Sequence, residues 1–281
     1  VSITNLQLLA KHLRHRLRRA LVRPPAGTPI LFANSFPKSG THLLTQALHG
    51  LTRLGPAVDS GLPAIVMYDG PTGAARPLPA ILADLARLRP GDIAYGHLHA
   101  APGITAALCR DGAAPFFIYR DPRDAAVSHV HYVTDIETDH AHHAYYKALP
   151  DFHARLRASI LGRPELGGLF PDIRARFEPY LGWLDRPEVC ALRFEDFIRD
   201  QEATLGLILT HAASRGFPVP DSAARGARTL MAGIIPEKSP TFRSGKIGGW
   251  RENFSEENKR LFKETAGDLL VRLGYEDGGD W

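Results

Sequence analysis

The chain has 281 residues, 44% hydrophobic and 23% charged, with 34 Lys and Arg against 30 Asp and Glu and a formal net charge of +4. This composition excludes a disordered or collagen-like chain and suits one large domain or two small ones. So small a net charge for the length does not predict nucleic-acid binding, and any anion site has to be built locally.

Only two cysteines occur, Cys109 and Cys190, far apart and in no CxxC or Cys/His metal spacing. A reducing compartment follows, and the chain is expected to be cytoplasmic. No apolar run approaches the roughly 20 residues that span a bilayer. The opening VSITNLQLLAKHLRHRLRRA is too broken by charge for a signal-peptide core. The sequence leaves open whether a leader or anchor precedes Val1.

In chain order, residues 1–25 form a basic segment of helical pattern. Its core, KHLRHRLRR at Lys11 to Arg19, suits peripheral contact with an anionic membrane or polyanionic acceptor. The favoured alternative is a solvated terminal helix that docks Leu6, Leu9, Leu13 and Leu17. Four short runs rich in Ile, Val, Phe and Tyr predict buried strands at Ile30–Phe36, Asp92–Leu98, Pro115–Arg120 and Glu188–Phe194. Helices are expected over Thr41–Leu54, where leucines recur on one face, and over Leu78–Arg89, Arg123–Val133, Ala144–Leu161 and Ser255–Leu273. The Pro/Gly-rich stretch from Gly55 to Pro79 reads as a long loop, a lid or acceptor wall. Strands alternating with helices predict an α/β protein with a central parallel sheet of four to five strands, covered on both faces.

The strands end in Pro37-Lys38-Ser39-Gly40-Thr41, His97-Leu98-His99, Arg120-Asp121-Pro122-Arg123-Asp124 and Phe194-Glu195-Asp196. Ligands of open α/β sheets bind at the carboxyl ends of strands, so one site built from these loops is expected. NSFPKSGTHLL follows a strand and opens a helix, the setting in which backbone amides cradle a phosphate. Lys38 precedes Gly40, the reverse of a Walker A loop, which disfavours an ordinary ATPase or GTPase. YRDPRDAAVSHV places Arg120 at a strand end and Ser128 eight residues on, so both can face one anion. TFRSGKIGGWRENFS offers Arg243, Lys246 and Arg251 among glycines, a flexible basic loop able to fold over a phosphate.

Together these segments resemble the sulfotransferases that use 3′-phosphoadenosine 5′-phosphosulfate (PAPS). PKSGTHLL resembles their 5′-phosphosulfate loop, RDPRDAAVS their 3′-phosphate segment, and FRSGKIGGWRENFS their C-terminal RKGxxGDWKNxFT signature. In order, the three motifs span roughly residues 30 to 256. The resemblance implies a P-loop-like three-layer fold and a single domain over 1–281, with 242–256 as the C-terminal nucleotide-binding loop. It further implies that Lys38, Ser39, Gly40, Thr41 and His42 hold the 5′-phosphosulfate. Arg120 and Ser128 would hold the 3′-phosphate with Arg243, Ser244 and Gly245, and Phe194 would lie near the adenine. His97, in GHLH, matches the family's catalytic base, with His99, two residues on and facing the same way if the strand continues, as its rival. The chain departs from the family pattern at Leu43, where the family stacks a Trp on adenine, and at Tyr95, His99 and Ser244.

The expected reaction is in-line sulfuryl transfer to an acceptor hydroxyl, with His97 as base, Lys38 stabilising the leaving group, and 3′-phosphoadenosine 5′-phosphate (PAP) released. It needs no metal. The acceptor is expected to be a small molecule, natural product or glycolipid, and the sequence does not choose between O- and N-sulfation or state an oligomeric form. A silent PAP- or PAPS-binding module and a nucleotide-dependent kinase are the competing functions. Five histidines between His129 and His143 admit a metal site, although a solvated segment near the acceptor mouth is preferred. Glu195, Asp196, Asp121, Arg123 and Asp124 are read as structural.

Overall fold

A computed structural model describes residues 13, 17–166, 168–239 and 245–281. The sheet is wholly parallel and runs β2–β4–β1–β5–β6, from strands β1 (Ile30–Ser35), β2 (Val58–Asp59), β3 (Ile65–Val66), β4 (Asp92–His97), β5 (Ala113–Tyr119) and β6 (Cys190–Arg193). The outer edge of β4 takes β2 beside its first residues and β3 beside its last, Gly96 and His97. The stretch from Gly55 to Pro79, expected as a long loop forming a lid or acceptor wall, also completes the sheet edge with two strands of two residues each, too short to leave a period in the sequence. The expected four to five strands become six.

Between and after the strands lie α1 (Thr41–Gly50), α2 (Leu78–Ala86), α3 (Pro102–Leu108), α4 (Pro122–His131), α5 (His143–Ala148), α6 (Phe152–Leu161) and α7 (Ile173–Leu181). These are followed by α8 (Phe194–Arg199), α9 (Gln201–Ser214), α10 (Ala223–Met231), α11 (Trp250–Asn253) and α12 (Glu256–Arg272). The helix expected over Ala144–Leu161 is two helices. Pro150 lacks the amide a continuous helix needs, and the Asp151 carboxylate caps α6 by accepting from the Ala154 amide at 2.8 Å. Past α4 the chain widens into a π-helical turn, Tyr132–Ile136, a form common at functional sites.

Alternation along β1 explains the two cores. Leu31 and Ala33 face one side with Leu44, Leu48, Phe116 and Ile118, while Ile30 and Phe32 face the other with Phe117, Trp183 and Leu270. Both faces are covered, so the strand reads as a continuous apolar run rather than an alternating one. Because β1 lies between β4 and β5, the loops after β1 and β5 meet over the point where the strand order reverses.

Leu13 and Leu17, expected to dock, are 58% and 56% exposed. Leu6, Leu9 and most of Lys11–Arg19 lie outside the described residues. Arg19 itself pairs with Asp92 at 2.6 Å. Among the described residues no helix is long and apolar enough to cross a membrane.

The C-terminal segment is bound to the start of α4 through Arg123, which is 1% exposed. Its guanidinium pairs with Asp121 at 2.7 Å and Glu276 at 2.5 Å, and lies over the rings of Trp250 and Trp281 at 3.9 and 4.4 Å. Arg123→Ala strands the buried Asp121 carboxylate, and urea unfolding is expected to show a loss of about 3–5 kcal/mol. A loss below about 1 kcal/mol would contradict the structural role.

Candidate functional site

The loop from Pro37 to Thr41 carries two left-handed residues, Lys38 at φ 69° and Gly40 at φ 100°. Lysine in this region is strained, a cost found mainly where a site requires it. Gly40 is required for a second reason. A Cβ there would lie 2.7 Å from Cδ2 of Phe194. The turn delivers the chain into α1 with no side chain capping its first amides, so the helix opens with unpaired donors and the positive end of its dipole. Ser39 is fully buried and its Oγ has no partner.

Over this loop lies a cavity of about 420 Å³. Its walls include Lys38, Gly40, Thr41 and His42 from the loop, Arg120 and Ser128 from the region after β5, and His97, Phe194 and Gly245. Segments as far apart in sequence as Lys38 and Gly245 thus line one space. Of the expected loop residues, Ser39 is buried beneath the lining rather than in it. Arg243 and Ser244 lie outside the described residues.

Lys38 extends over the Tyr132 ring, with Nζ 3.8 Å from the centroid. Burial, assisted by the charge of Arg120, lowers its pKa to about 8, while Glu137 acts in the opposite direction. The Arg120 guanidinium lies 4.4 Å over Phe194, and Nη2 donates to the Lys246 carbonyl at 2.6 Å. Arg120 Nε is buried without a partner. Phe194 is therefore wedged between Gly40 and Arg120.

His97 ends β4. Its Nδ1 lies 3.1 Å from both the carbonyl and the Oγ of Ser35, and Ser35 Oγ in turn contacts Thr41 Oγ1 at 2.7 Å. Donation from Nδ1–H to the Ser35 carbonyl leaves the lone pair on Nε2. Burial, with smaller contributions from the Lys38 and His42 charges, lowers the imidazole pKa to about 4, so the ring is neutral at physiological pH.

His99, expected to share the face of His97 if the strand continued, does not. The strand stops at His97 because the Asn34 side chain grips the Leu98 backbone, accepting from its amide at 2.8 Å and donating to its carbonyl at 2.9 Å. Trp183 Nε1 donates to the same carbonyl at 2.7 Å. His99 lies instead in an adjoining cavity, its ring 4.8 Å from that of Tyr180.

The C-terminal loop expected to be flexible is held to α4 over residues 246–250. The buried Asp124 carboxylate accepts from the amides of Gly248 and Trp250, each at 2.8 Å. Lys246 pairs with Glu252 at 2.5 Å, and Arg251 lies over Trp250. Neither of these expected phosphate cations lines the cavity. Glu195 accepts from the Asp121 amide and the Tyr275 hydroxyl, a bracing function. Of the five histidines, His129, His140 and His142 line the adjoining cavity; His131 and His143 do not. Among the described residues, no group of three or more His, Cys, Asp or Glu could hold a metal.

Sequence reasoning missed Ser35, Asn34 and Tyr132, whose roles depend on contacts across strands or with the π-helical turn. An Asn at the end of a buried apolar strand was the only available signal.

No family model and no curated protein matches the chain. Solved structures do. Mouse sulfotransferase SULT7A1 in complex with PAP is 19% identical, covering 92% of this chain and 93% of its own, at a TM-score of 0.56. Retinol dehydratase with retinol and PAP is 17% identical, covering 90% and 85%, also at 0.56. The same enzyme with androsterone and PAP is 16% identical, covering 92% and 85%, at 0.54. The chain has the sulfotransferase fold.

In this sulfotransferase fold, Asp124 in the first turn of α4 holds Gly248 and Trp250 to that helix. Asp124→Ala removes both carboxylate acceptors, and hydrogen exchange at the Gly248 and Trp250 amides is expected to accelerate on the order of 10- to 100-fold. Unchanged exchange would show that the loop is held elsewhere.

Proposed function

We propose that the chain is a sulfotransferase that moves the sulfuryl group of PAPS to an acceptor hydroxyl. The observation that carries this is the convergence of Lys38, the uncapped start of α1, Arg120, Ser128 and His97 on one cavity. Two cations from different loops, Lys38 and Arg120, lining one cavity suit a nucleotide with two anionic groups. Arg120 lines the cavity with its Nε unpartnered, which fits an anion that supplies an acceptor. Structural neighbours crystallised with PAP support the same donor, and retinol and androsterone in two of them support a small-molecule acceptor.

Lys38 and the amides of Gly40, Thr41 and His42 would hold the 5′-phosphosulfate. Arg120 and Ser128 would hold the 3′-phosphate, and Phe194 the adenine. When bound, PAPS supplies an activated sulfuryl group, whose transfer to the acceptor oxygen breaks the bond to the bridging oxygen. His97 Nε2 takes the acceptor proton, since Ser35 occupies Nδ1. Lys38 offsets charge on the departing oxygen, and the α1 amides offset charge on the sulfuryl oxygens.

Calorimetry with PAP, 5′-AMP and ATP tests the donor without an identified acceptor. Micromolar PAP binding, about −8 kcal/mol, weakened by removal of the 3′-phosphate and by Arg120→Ala or Ser128→Ala, is expected. Equal or tighter ATP binding, indifferent to both substitutions, would contradict it and favour a kinase.

The titrations give a second test. His97 must be neutral and Lys38 protonated, so kcat/KM for PAPS should fall below about pH 4 and above about pH 8. The donor's negative charge raises both groups, so the limbs in kcat should lie at higher pH. Lys38→Arg should remove the alkaline limb, and His97→Ala should lower kcat roughly 10²–10⁴-fold with PAP binding retained. A profile flat from pH 7 to 10 in the unsubstituted enzyme would refute the role of Lys38.

A further inference from the structure

Beside the nucleotide cavity lies a second one of about 240 Å³, and Lys38, Tyr132 and Tyr180 line both. Its remaining walls include Phe170 and the polar pair His142 and Arg176, which do not reach the first cavity. Arg176 is an unusual cation. One Nη donates to the Ser159 carbonyl and the guanidinium lies 4.7 Å over Phe170, but Nε is buried without a partner.

Among the described residues no carboxylate forms an ion pair with Arg176. Among the described residues the one acidic side chain lining this cavity is Asp69, whose carboxylate is turned onto Thr72, accepting from its amide at 3.0 Å and its hydroxyl at 2.7 Å. His142, 6% exposed, also has an unpartnered ring nitrogen, Nδ1. Burial lowers the His142 pKa to about 4 and that of Arg176 to about 10, so at neutral pH the arginine carries the charge and the histidine is a neutral hydrogen-bonding group. A buried cation that the Asp172 carboxylate favours only from beyond ion-pair distance, beside an unpaired polar ring, calls for an anion of single charge.

We propose that this cavity binds the acceptor as an aromatic hydroxy acid, its carboxylate on Arg176 and His142, its ring on the aromatic walls, and its hydroxyl toward Lys38 at the junction with the first cavity, which His97 lines. The planar guanidinium suits a planar carboxylate, and a phosphate dianion would outweigh the single charge. The placement of the hydroxyl rests on the sulfotransferase reading; the carboxylate site rests on Arg176 and His142 alone.

The test is calorimetric binding of 3-(4-hydroxyphenyl)propionate, its neutral amide and tyramine to the whole chain, with and without saturating PAP. The acid is expected to bind at least tenfold tighter than the amide, with tyramine weakest. Arg176→Gln should abolish the preference for the acid and leave PAP affinity unchanged, while Arg176→Lys should retain part of it. Equal binding of acid and amide, binding of neither, or a preference that survives Arg176→Gln would overturn the inference. Failure of PAP to bind would instead strike the donor assignment, because the acid-against-amide comparison is also made without nucleotide.

Discussion

The ring of Phe194 is the contact on which the site depends. One side accepts the backbone of Gly40, where no side chain would fit, and the Arg120 guanidinium covers the ring at 4.4 Å. That stack joins the loop after β1 to the regions after β5 and β6. Arg120 then donates to the Lys246 carbonyl, and Asp124, four residues on, holds Gly248 and Trp250. Three motifs far apart in sequence are thereby fixed by a few contacts at the carboxyl ends of the parallel strands. A parallel sheet makes this possible because all its strand ends lie on the same side.

The electrostatics follow from that crowding. Burial lowers the pKa of Lys38, and the nearby charge of Arg120 lowers it further. His97 and His42 titrate below their usual range for the same two reasons, burial first and the neighbouring lysine second. Such clustering is costly in an empty fold and is relieved by an anion, so perturbed titration and binding have one physical origin. The adjoining cavity repeats the pattern on a smaller scale with Arg176.

Much of this was legible in the sequence because it rests on local rules. Apolar runs located β1, β4, β5 and β6 to within about two residues, and the loop from Pro37 to Thr41 announced itself by following one such run and opening a helix. What stayed hidden depends on partners distant in sequence. The edge strands β2 and β3 are two residues each and exist only because β4 offers them an unpaired edge. On a continuing strand His97 and His99 would share a face, so only the family resemblance favoured His97, and the Asn34 grip on Leu98 that separates them leaves no period to read. The basic C-terminal loop looked mobile because its glycines are local signals and the Asp124 carboxylate that holds it is not.

A crystal structure of the chain with PAP tests the central claim most directly, that one nucleotide spans the two cationic subsites of a single cavity. The 5′-phosphate is predicted to lie against Lys38 and the first amides of α1, the 3′-phosphate on Arg120 and Ser128, and the adenine beside Phe194. A nucleotide bound with its phosphates reversed, or bound outside this cavity, would contradict it.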